Sequence, residues 1–404
     1  MRVATPPRAG ETPMKPRGRH FFANPGPTNI PDSVMQAVAH ATVDFNGPDF
    51  MAVYEGCVAG LKRVLRTEQE VFMYTGSGHA AWEATLTNLL SHGDRILVIE
   101  TGHFSDSWGK MAADLGIVVD TLPADWRKGV DYAALRAALL ADTSHALKAI
   151  GAVHNETSTG MTLDLARIRA LLDETGHPAL LMADTISSLG SLDFRMDEWG
   201  VDAAVGGSQK GLMLPVGFSF TGVSAKAMRA HQGSTLPKHY FSWTTMLGRK
   251  HRSFIGTVPI ALFYGLQESL RLIEEEGLGN VLARHHRLAE ATRRCVRHWA
   301  GNNGPQLYGL EPNRLSDSVT SILMPDGHDA EALRKRVATM NVALGAGLGR
   351  LNGKVFRIGH LGDLNEPMLL GTLAATEIGL RLEGVPHTPG GVDAAMGYLA
   401  DTAG

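Results

Sequence analysis

Lys210 lies in a turn of small residues that directly follows an apolar run, in the stretch Ala203-Ala204-Val205-Gly206-Gly207-Ser208-Gln209-Lys210-Gly211. A lysine held in such a turn loses part of its hydration, which lowers the pKa of its amine and makes the amine a nucleophile. A Schiff-base lysine needs this property. The alternative is an ordinary surface lysine in a loop, and the polar residues that end the neighbouring apolar runs weigh against it.

Two further charged residues interrupt or end apolar runs, so each needs a partner. Asp184 follows the run Ala179–Ala183, where it either caps the next helix or pairs with a protonated heterocycle. Arg357 lies inside the apolar run Lys354–Gly359. Because arginine is rarely buried without an anion, Arg357 forms either an internal salt bridge or a fork for a substrate carboxylate.

A third group of residues has the chemistry of a binding site for a flat, phosphorylated ring. Ser77, Gly78 and His79 open a predicted helix, where free N–H groups and the helix dipole favour a phosphate, although glycines there usually mark only a turn. Phe104 follows another strand, where it is either a core residue or a stacking face. A phosphate cradle, a stacking face, a carboxylate, an amine and an arginine together are what pyridoxal phosphate requires.

The elements that must position these residues alternate between strand and helix from about residue 70. Short Val/Ile/Leu-rich runs separated by helical patterns predict a mostly parallel sheet covered on both faces. In such sheets ligands collect at the carboxyl ends of the strands, where the candidate residues lie. The predicted strands are Val71–Thr75, Arg95–Glu100, Ala146–Val153, Ala179–Ala183, Val201–Val205 and Gly217–Val223, and the predicted helices between them are Gly78–Leu90, Ser105–Leu115 and Leu163–Glu174.

The pattern changes after about residue 280, where a smaller α+β domain is predicted beyond a long helix, Thr257–Glu276. We therefore predict a large α/β domain over residues 21–280 and a small domain over residues 281–404. Residues 1–20 carry four arginines, one lysine and four prolines without an apolar core, which is typical of a disordered basic arm rather than a signal peptide. The predicted elements of the small domain are the strands Val319–Leu323 and Lys354–Gly359 and the helices Asp329–Met340 and Glu366–Leu382.

Composition excludes several classes of protein. The 404 residues carry a formal net charge of -3, which argues against nucleic acid or an anionic membrane as the main partner. No apolar run approaches the roughly 18 residues of a membrane span. Two cysteines, Cys57 and Cys295, form neither a disulfide framework nor a metal motif. We therefore expect a cytoplasmic location and no bound metal.

At this point the sequence resembles the fold-type I, class V aminotransferases that depend on pyridoxal 5'-phosphate, and within them the serine–glyoxylate and alanine–glyoxylate enzymes. The resemblance runs from the segment around Gly26 to near the end of the chain. Many ordered blocks carry it, which makes it specific. These blocks are Asn24–Pro31, His154–Thr157, Asp193–Asp202, Gly207–Lys210 and Val355–Gly362.

The resemblance implies a role in cofactor binding for each candidate. Lys210 would carry the internal aldimine, and Asp184 would pair with the pyridine nitrogen. Phe104 would lie over the ring, and Thr157 would hydrogen-bond the phenolic oxygen. The phosphate would be bound by Ser77, Gly78, His79 and Gln209, and by Thr257 of the neighbouring subunit of a homodimer with shared sites.

The resemblance also implies that the substrates are a small amino acid and a 2-oxo acid. Arg357 would bind the substrate α-carboxylate, and the backbone near Gly26 would line the pocket. A ping-pong transfer from serine, alanine or aspartate to glyoxylate is therefore expected. Asn46 stands where many relatives carry an arginine, and the segment around Phe254 differs too, so these two residues are expected to shape the donor pocket. A lyase or another reaction of the same family on a small amino acid stays open, as does a binding protein without turnover.

Overall fold

The computed structural model describes residues 17–249 and 254–403. Most of the predicted basic arm and the basic residues 250–252 therefore lie outside the described residues. Within them, the chain forms strands and helices in regular alternation. The strands are β1 Phe21–Ala23, β2 Glu70–Thr75, β3 Arg95–Glu100, β4 Val118–Pro123, β5 Leu147–Val153, β6 Asn155–Glu156, β7 Met161–Thr162, β8 Leu180–Asp184, β9 Ala203–Gly207, β10 Phe218–Val223, β11 Gln306–Leu307, β12 Val319–Leu323, β13 Val342–Ala346 and β14 Val355–Gly359.

Helices alternate with the strands along most of the described chain, and the last five α-helices lie in its C-terminal part. Short 3-10 turns occur near residues 301–303, 312–314 and 349–351. The α-helices are α1 Asp32–Val38, α2 Pro48–Leu65, α3 Gly78–Leu89, α4 His103–Asp114, α5 Tyr132–Ala141, α6 Leu165–Glu174, α7 Ala225–His231, α8 Trp243–Gly248, α9 Ile260–Glu276, α10 Leu278–Trp299, α11 Ala330–Ala338, α12 Glu366–Leu382 and α13 Gly391–Asp401.

The larger sheet has seven strands in the order β2-β10-β9-β8-β5-β3-β4. Strand β10 runs antiparallel to both of its neighbours, and the other pairings are parallel. Both faces are buried: along β3, Ile96 and Val98 pack into one layer of the core, and Leu97 and Ile99 into the other. The structure thus confirms the predicted α/β fold with a mostly parallel sheet.

Strand β9 extends two residues beyond its predicted end at Val205. The prediction treated Gly206 and Gly207 as a turn, but both belong to the strand and pair with β10. A Cβ atom at Gly206 would lie 2.2 Å from the ring of Phe220, so the glycine makes room for an aromatic ring across the sheet. The turn that carries Lys210 therefore begins later, at Ser208.

The smaller sheet has five strands in the order β1-β13-β14-β12-β11. Its first strand comes from the beginning of the described chain, because Phe21–Ala23 pairs in parallel with Val342–Leu344. These residues were assigned to the large domain by sequence, and the backbone pairing instead joins them to the C-terminal sheet. The described part of the chain has no helix that could cross a membrane.

Candidate functional site

Asp184 and Lys210 lie at the carboxyl ends of adjacent parallel strands, and both reach one cavity of about 210 Å³. The cavity gathers seven of the predicted site residues: Gly78, His79, Phe104, Thr157, Asp184, Gln209 and Lys210. Five further residues line it: Trp82, Val153, Asn155, Ile186 and Ser187. The sheet therefore brings together side chains that are up to 132 positions apart, from Gly78 to Lys210.

The amine of Lys210 contacts the N-terminal segment that contains Pro25 and Gly26. Its Nζ donates a hydrogen bond of 2.8 Å to the carbonyl oxygen of Pro25. Gly26 packs directly against the lysine, since a Cβ atom built there would lie 2.0 Å from Nζ. Burial lowers the pKa of Lys210 to about 8; the charge of Arg357 lowers it too, and that of Asp184 opposes the shift. Near neutral pH, part of the amine is therefore uncharged.

The carboxylate of Asp184 is buried, with only 5% of the residue exposed. Oδ1 accepts a hydrogen bond from the N–H of Ile186 (2.8 Å), and Oδ2 accepts one from Nε1 of Trp82 (3.1 Å). Burial nevertheless raises the pKa of Asp184 to about 7, and the two hydrogen bonds and Lys210 only partly oppose this. No cation of the described residues contacts this charge directly, and a protonated ring nitrogen would supply one.

The predicted phosphate cradle is the first turn of α3. Helix α3 begins at Gly78, and Ser77 precedes it without capping it through its side chain. A Cβ atom at Gly78 would lie 2.2 Å from Cδ1 of Ile186, so only glycine leaves this wall open. The ring of His79 packs on Trp82 with centroids 4.3 Å apart. Ser77 is not among the residues that line the cavity, and its role stays a prediction.

Phe104, the second residue of α4, also lines the cavity. Its ring meets Trp82 edge-on, with centroids 6.4 Å apart. Trp82 was missed by sequence reasoning, although it lies four residues after Gly78 and so on the same face of α3. Asn155 was missed as well. Its Oδ1 and the Oε1 of Gln209 are buried polar atoms without a hydrogen-bond partner in the described residues.

Arg357 lies in the middle of β14, and only 6% of it is exposed. Nε donates to the carbonyl of Ala346 (2.6 Å), and Nη1 donates to the carbonyl of Thr157 (3.0 Å). Among residues 17–249 and 254–403, no carboxylate forms an ion pair with it, so the internal salt bridge considered above is not observed. Burial lowers the pKa of Arg357 to about 10, with the charge of Glu156 opposing the shift, so the guanidinium stays charged at neutral pH.

Six of the predicted residues do not line this cavity: Gly26, Ser77 and Arg357, described above, and Thr257, Asn46 and Phe254. Thr257 is exposed in the segment before α9, and Asn46 is exposed in a turn where it hydrogen-bonds Asp44. Phe254 is 2% exposed and packs against Phe263, with ring centroids 5.6 Å apart. The expectation that Phe254 contacts the substrate is therefore not supported in this chain, because the ring is part of the hydrophobic core.

Comparison with known proteins places these features in a family. The family described as aminotransferase class V matches residues 20–351. The chain is 43% identical to serine–glyoxylate aminotransferase of Methylorubrum extorquens, over 96% of this chain and 97% of that protein. It is 42% identical to L-aspartate–glyoxylate aminotransferase of Paracoccus denitrificans, over 94% and 96%. The crystal structure of an alanine–glyoxylate aminotransferase from Nostoc sp. superposes with a TM-score of 0.82 at 32% identity, over 93% of this chain and 98% of that one.

Proposed function

The chain belongs to the class V aminotransferases, and from this premise we propose that it moves the amino group of a small L-amino acid to glyoxylate with the help of pyridoxal 5'-phosphate. Relatives that resemble it over nearly their whole length are named for glyoxylate as acceptor. One observation carries the proposal: the buried carboxylate of Asp184 and the half-buried Lys210, which holds the amine, line the same cavity.

The residues of the cavity fit this cofactor. The carboxylate of Asp184 lacks a cation, and a protonated pyridine nitrogen would supply one. Asn155 Oδ1 and Gln209 Oε1 are buried without partners, as expected of atoms that face a polar ligand. The first turn of α3 presents N–H groups that have no partner within the helix, which suits a phosphate. Phe104 supplies an aromatic face, and Thr157 a hydroxyl.

When bound, pyridoxal phosphate supplies an aldehyde that condenses with amines and a ring that withdraws electrons from the bond broken at Cα of the substrate. Lys210 has two tasks. Its amine would hold the cofactor at rest, and when free, Nζ would accept the Cα proton of the substrate and hold it for return. The lowered pKa suits both tasks, because a fully protonated amine could neither condense nor accept a proton.

Arg357 gives the site its preference for amino acids and 2-oxo acids. Its Nη2 makes no hydrogen bond to any described residue, while Nε and Nη1 are held by backbone carbonyls. The guanidinium is therefore fixed in orientation and keeps a donor for the carboxylate that both substrates share. Serine, alanine and aspartate are the candidate donors, and Asn46 is proposed to influence the choice.

The proposed enzyme is a homodimer in which Thr257 of one subunit reaches the phosphate in the other. Thr257 is exposed in the segment before α9, where it is accessible to a second subunit. We also propose a cytoplasmic location, because Cys57 and Cys295 are buried free thiols inside helices. The same burial weighs against a desulfurase, which needs an accessible nucleophilic cysteine.

A half-reaction assay tests the proposal. The cofactor-loaded protein is mixed with serine, alanine or aspartate alone, and the visible spectrum of the cofactor is followed together with the acid released. A transaminase converts the cofactor to its aminated form and releases one 2-oxo acid, and glyoxylate then restores the original spectrum. A lyase, the second candidate, would release its product without accumulating the aminated cofactor. A protein that fails to bind pyridoxal phosphate would refute the proposal.

A further inference from the structure

The first turn of α4, which carries Phe104, is held by a loop from another part of the sheet. Gly102 occupies the cap position and has no side chain to accept hydrogen bonds. Instead, the N–H of His103 donates to Oγ of Ser158 (3.0 Å), and the N–H groups of Phe104 (3.0 Å) and Ser105 (3.1 Å) both donate to Oε2 of Glu156. A carboxylate more than 50 positions away thus caps this helix.

Glu156 is fully buried, and its two oxygens accept four hydrogen bonds. Oε2 binds the helix, and Oε1 accepts from the N–H (3.1 Å) and the hydroxyl (2.6 Å) of Ser158. The described residues offer it no ion pair, and burial raises its pKa. Such a carboxylate costs free energy to bury, and replacing it by an apolar group of similar size would be the simpler way to stabilise a fold.

The fit between helix and carboxylate is close. A Cβ atom at Gly102 would lie 2.3 Å from Cγ and 2.5 Å from Cδ of Glu156. Any other residue at position 102 would therefore force either the side chains of Glu156 and Ser158 or the first turn of α4 to shift. The position of the Phe104 ring therefore depends on contact between Gly102 and Glu156.

The loop that caps α4 also touches the other functional groups. Thr157, the next residue, lines the cavity, and its carbonyl accepts the hydrogen bond from Nη1 of Arg357. Glu156 thus lies at the junction between the stacking residue, the hydroxyl expected to bind the ring oxygen, and the arginine expected to bind the substrate. Its own side chain does not line the cavity.

We propose that Glu156 is a positioning residue that sets the Phe104 ring against the face of the cofactor, by fixing the first turn of α4 to the loop that carries Thr157. The proposal rests on the proposed function, because it takes pyridoxal phosphate as the ligand. It predicts that Glu156 affects cofactor binding through Phe104 and not by direct contact.

The test is a double-mutant cycle of Glu156→Gln and Phe104→Ala in the full-length protein, stripped of cofactor and titrated with pyridoxal phosphate. Glutamine keeps the shape, but its NH₂ group must face either the α4 N–H groups or the Ser158 N–H, so one pair of hydrogen bonds is lost. Glu156→Gln is expected to weaken cofactor binding about tenfold and to change the visible circular dichroism of the bound cofactor. In the Phe104→Ala background the same change should weaken binding by less than about twofold.

A matched control separates positioning from general stability. Asp202 is another buried carboxylate that accepts a backbone N–H, from Leu181 (2.9 Å); unlike Glu156 it also pairs with Arg169 and Lys226, and it precedes β9 at the opposite end of the sheet. Asp202→Asn is expected to lower the urea midpoint of unfolding and to leave cofactor affinity unchanged. An equal loss of affinity from Glu156→Gln with and without Phe104 would overturn the proposal, as would no loss at all.

A second variant keeps the proposal testable where Glu156→Gln fails to fold. Ser158→Ala leaves the carboxylate in place and removes the hydroxyl that links it to the N–H of His103. We expect about threefold weaker cofactor binding, again only when Phe104 is present. Unchanged affinity in Ser158→Ala would refute the proposal, whereas wild-type protein that binds no cofactor would refute the proposed function itself.

Discussion

Replacing Asp184 by asparagine should stabilise the cofactor-free protein at alkaline pH while damaging the site. The carboxylate is buried and contacts no cation of the described residues, so its charge destabilises the folded state when the proposed cofactor is absent. A group whose pKa is raised on folding destabilises the protein progressively as the pH rises from its unfolded to its folded pKa. For Asp184 this window runs from 3.8 to about 7.

The magnitude follows from the width of that window. Each pKa unit corresponds to about 1.4 kcal/mol, so a shift of roughly three units costs about 4 kcal/mol once Asp184 is fully ionised at pH 8. At pH 5 the folded protein keeps the proton, and the cost is less than half as large. Asparagine carries no charge at either pH. The stability of Asp184→Asn relative to the wild type should therefore rise by about 2 to 3 kcal/mol between pH 5 and pH 8.

Urea unfolding of both cofactor-free proteins at the two pH values measures this difference, with tryptophan fluorescence and circular dichroism as probes at a fixed protein concentration. Hydrogen bonds that asparagine loses to Trp82 or Ile186 shift both measurements equally and do not affect the comparison. Saturating pyridoxal phosphate should reverse the order of stability at pH 8. Parallel pH dependences of the two cofactor-free proteins would refute the account of the Asp184 charge.

Four further predictions follow from the site. Lys210→Ala should lower the rate of amino transfer at least about 10⁴-fold, measured as 2-oxo acid released, and a rate near that of the wild type would exclude its role in proton transfer. Arg357→Lys should raise KM for the donor about 100-fold at unchanged cofactor affinity, because a single ammonium replaces the guanidinium fork. A weakened cofactor affinity would instead place Arg357 at the cofactor. Gly26→Ala adds a Cβ atom 2.0 Å from Nζ of Lys210, at a backbone φ of +134°. This substitution should lower kcat about 100-fold with little change in far-UV circular dichroism. An unaltered kcat would contradict the close packing of Gly26 against Lys210. The rate of pyridoxal phosphate association should rise with pH and level off above about pH 8, where the amine of Lys210 loses its proton, and a rate independent of pH between 6 and 9 would contradict the lowered pKa.

Much of the site was predictable because its residues end strands of one parallel sheet. The run before Asp184 and the run before Lys210 are each apolar enough to indicate a buried strand, and adjacent parallel strands place their ends together. The same reasoning pointed to Phe104, and the family resemblance pointed to Thr157; both line the cavity, and their roles stay predictions. Trp82 escaped it because a tryptophan in a helix gives no sign that its Nε1 will meet a carboxylate rather than a core.

The remaining errors have physical causes as well. Gly206 resembles a turn residue, and only the Phe220 ring on the neighbouring strand shows why glycine is needed inside β9. Strand β13, Val-Ala-Leu-Gly-Ala, is short and rich in small residues, so it was not predicted. Phe254 packs in the core through partners on distant elements, which sequence spacing does not reveal. The role of Thr257 in a neighbouring subunit and the role of Asn46 in the donor pocket stay predictions.

The pairing of β1 with β13 has a consequence for the biogenesis of the protein. These strands are about 320 residues apart, so β1 leaves the ribosome long before its partner is synthesised. We therefore expect the hydrogen bond between Lys210 and Pro25, just after β1, to form only after β13 has been translated. Pairing over such a distance is slow. We expect nascent chains that end before β13 to build the seven-stranded sheet but to leave Lys210 without its contact to Pro25, so that the proposed cofactor binds only after β13 has been synthesised.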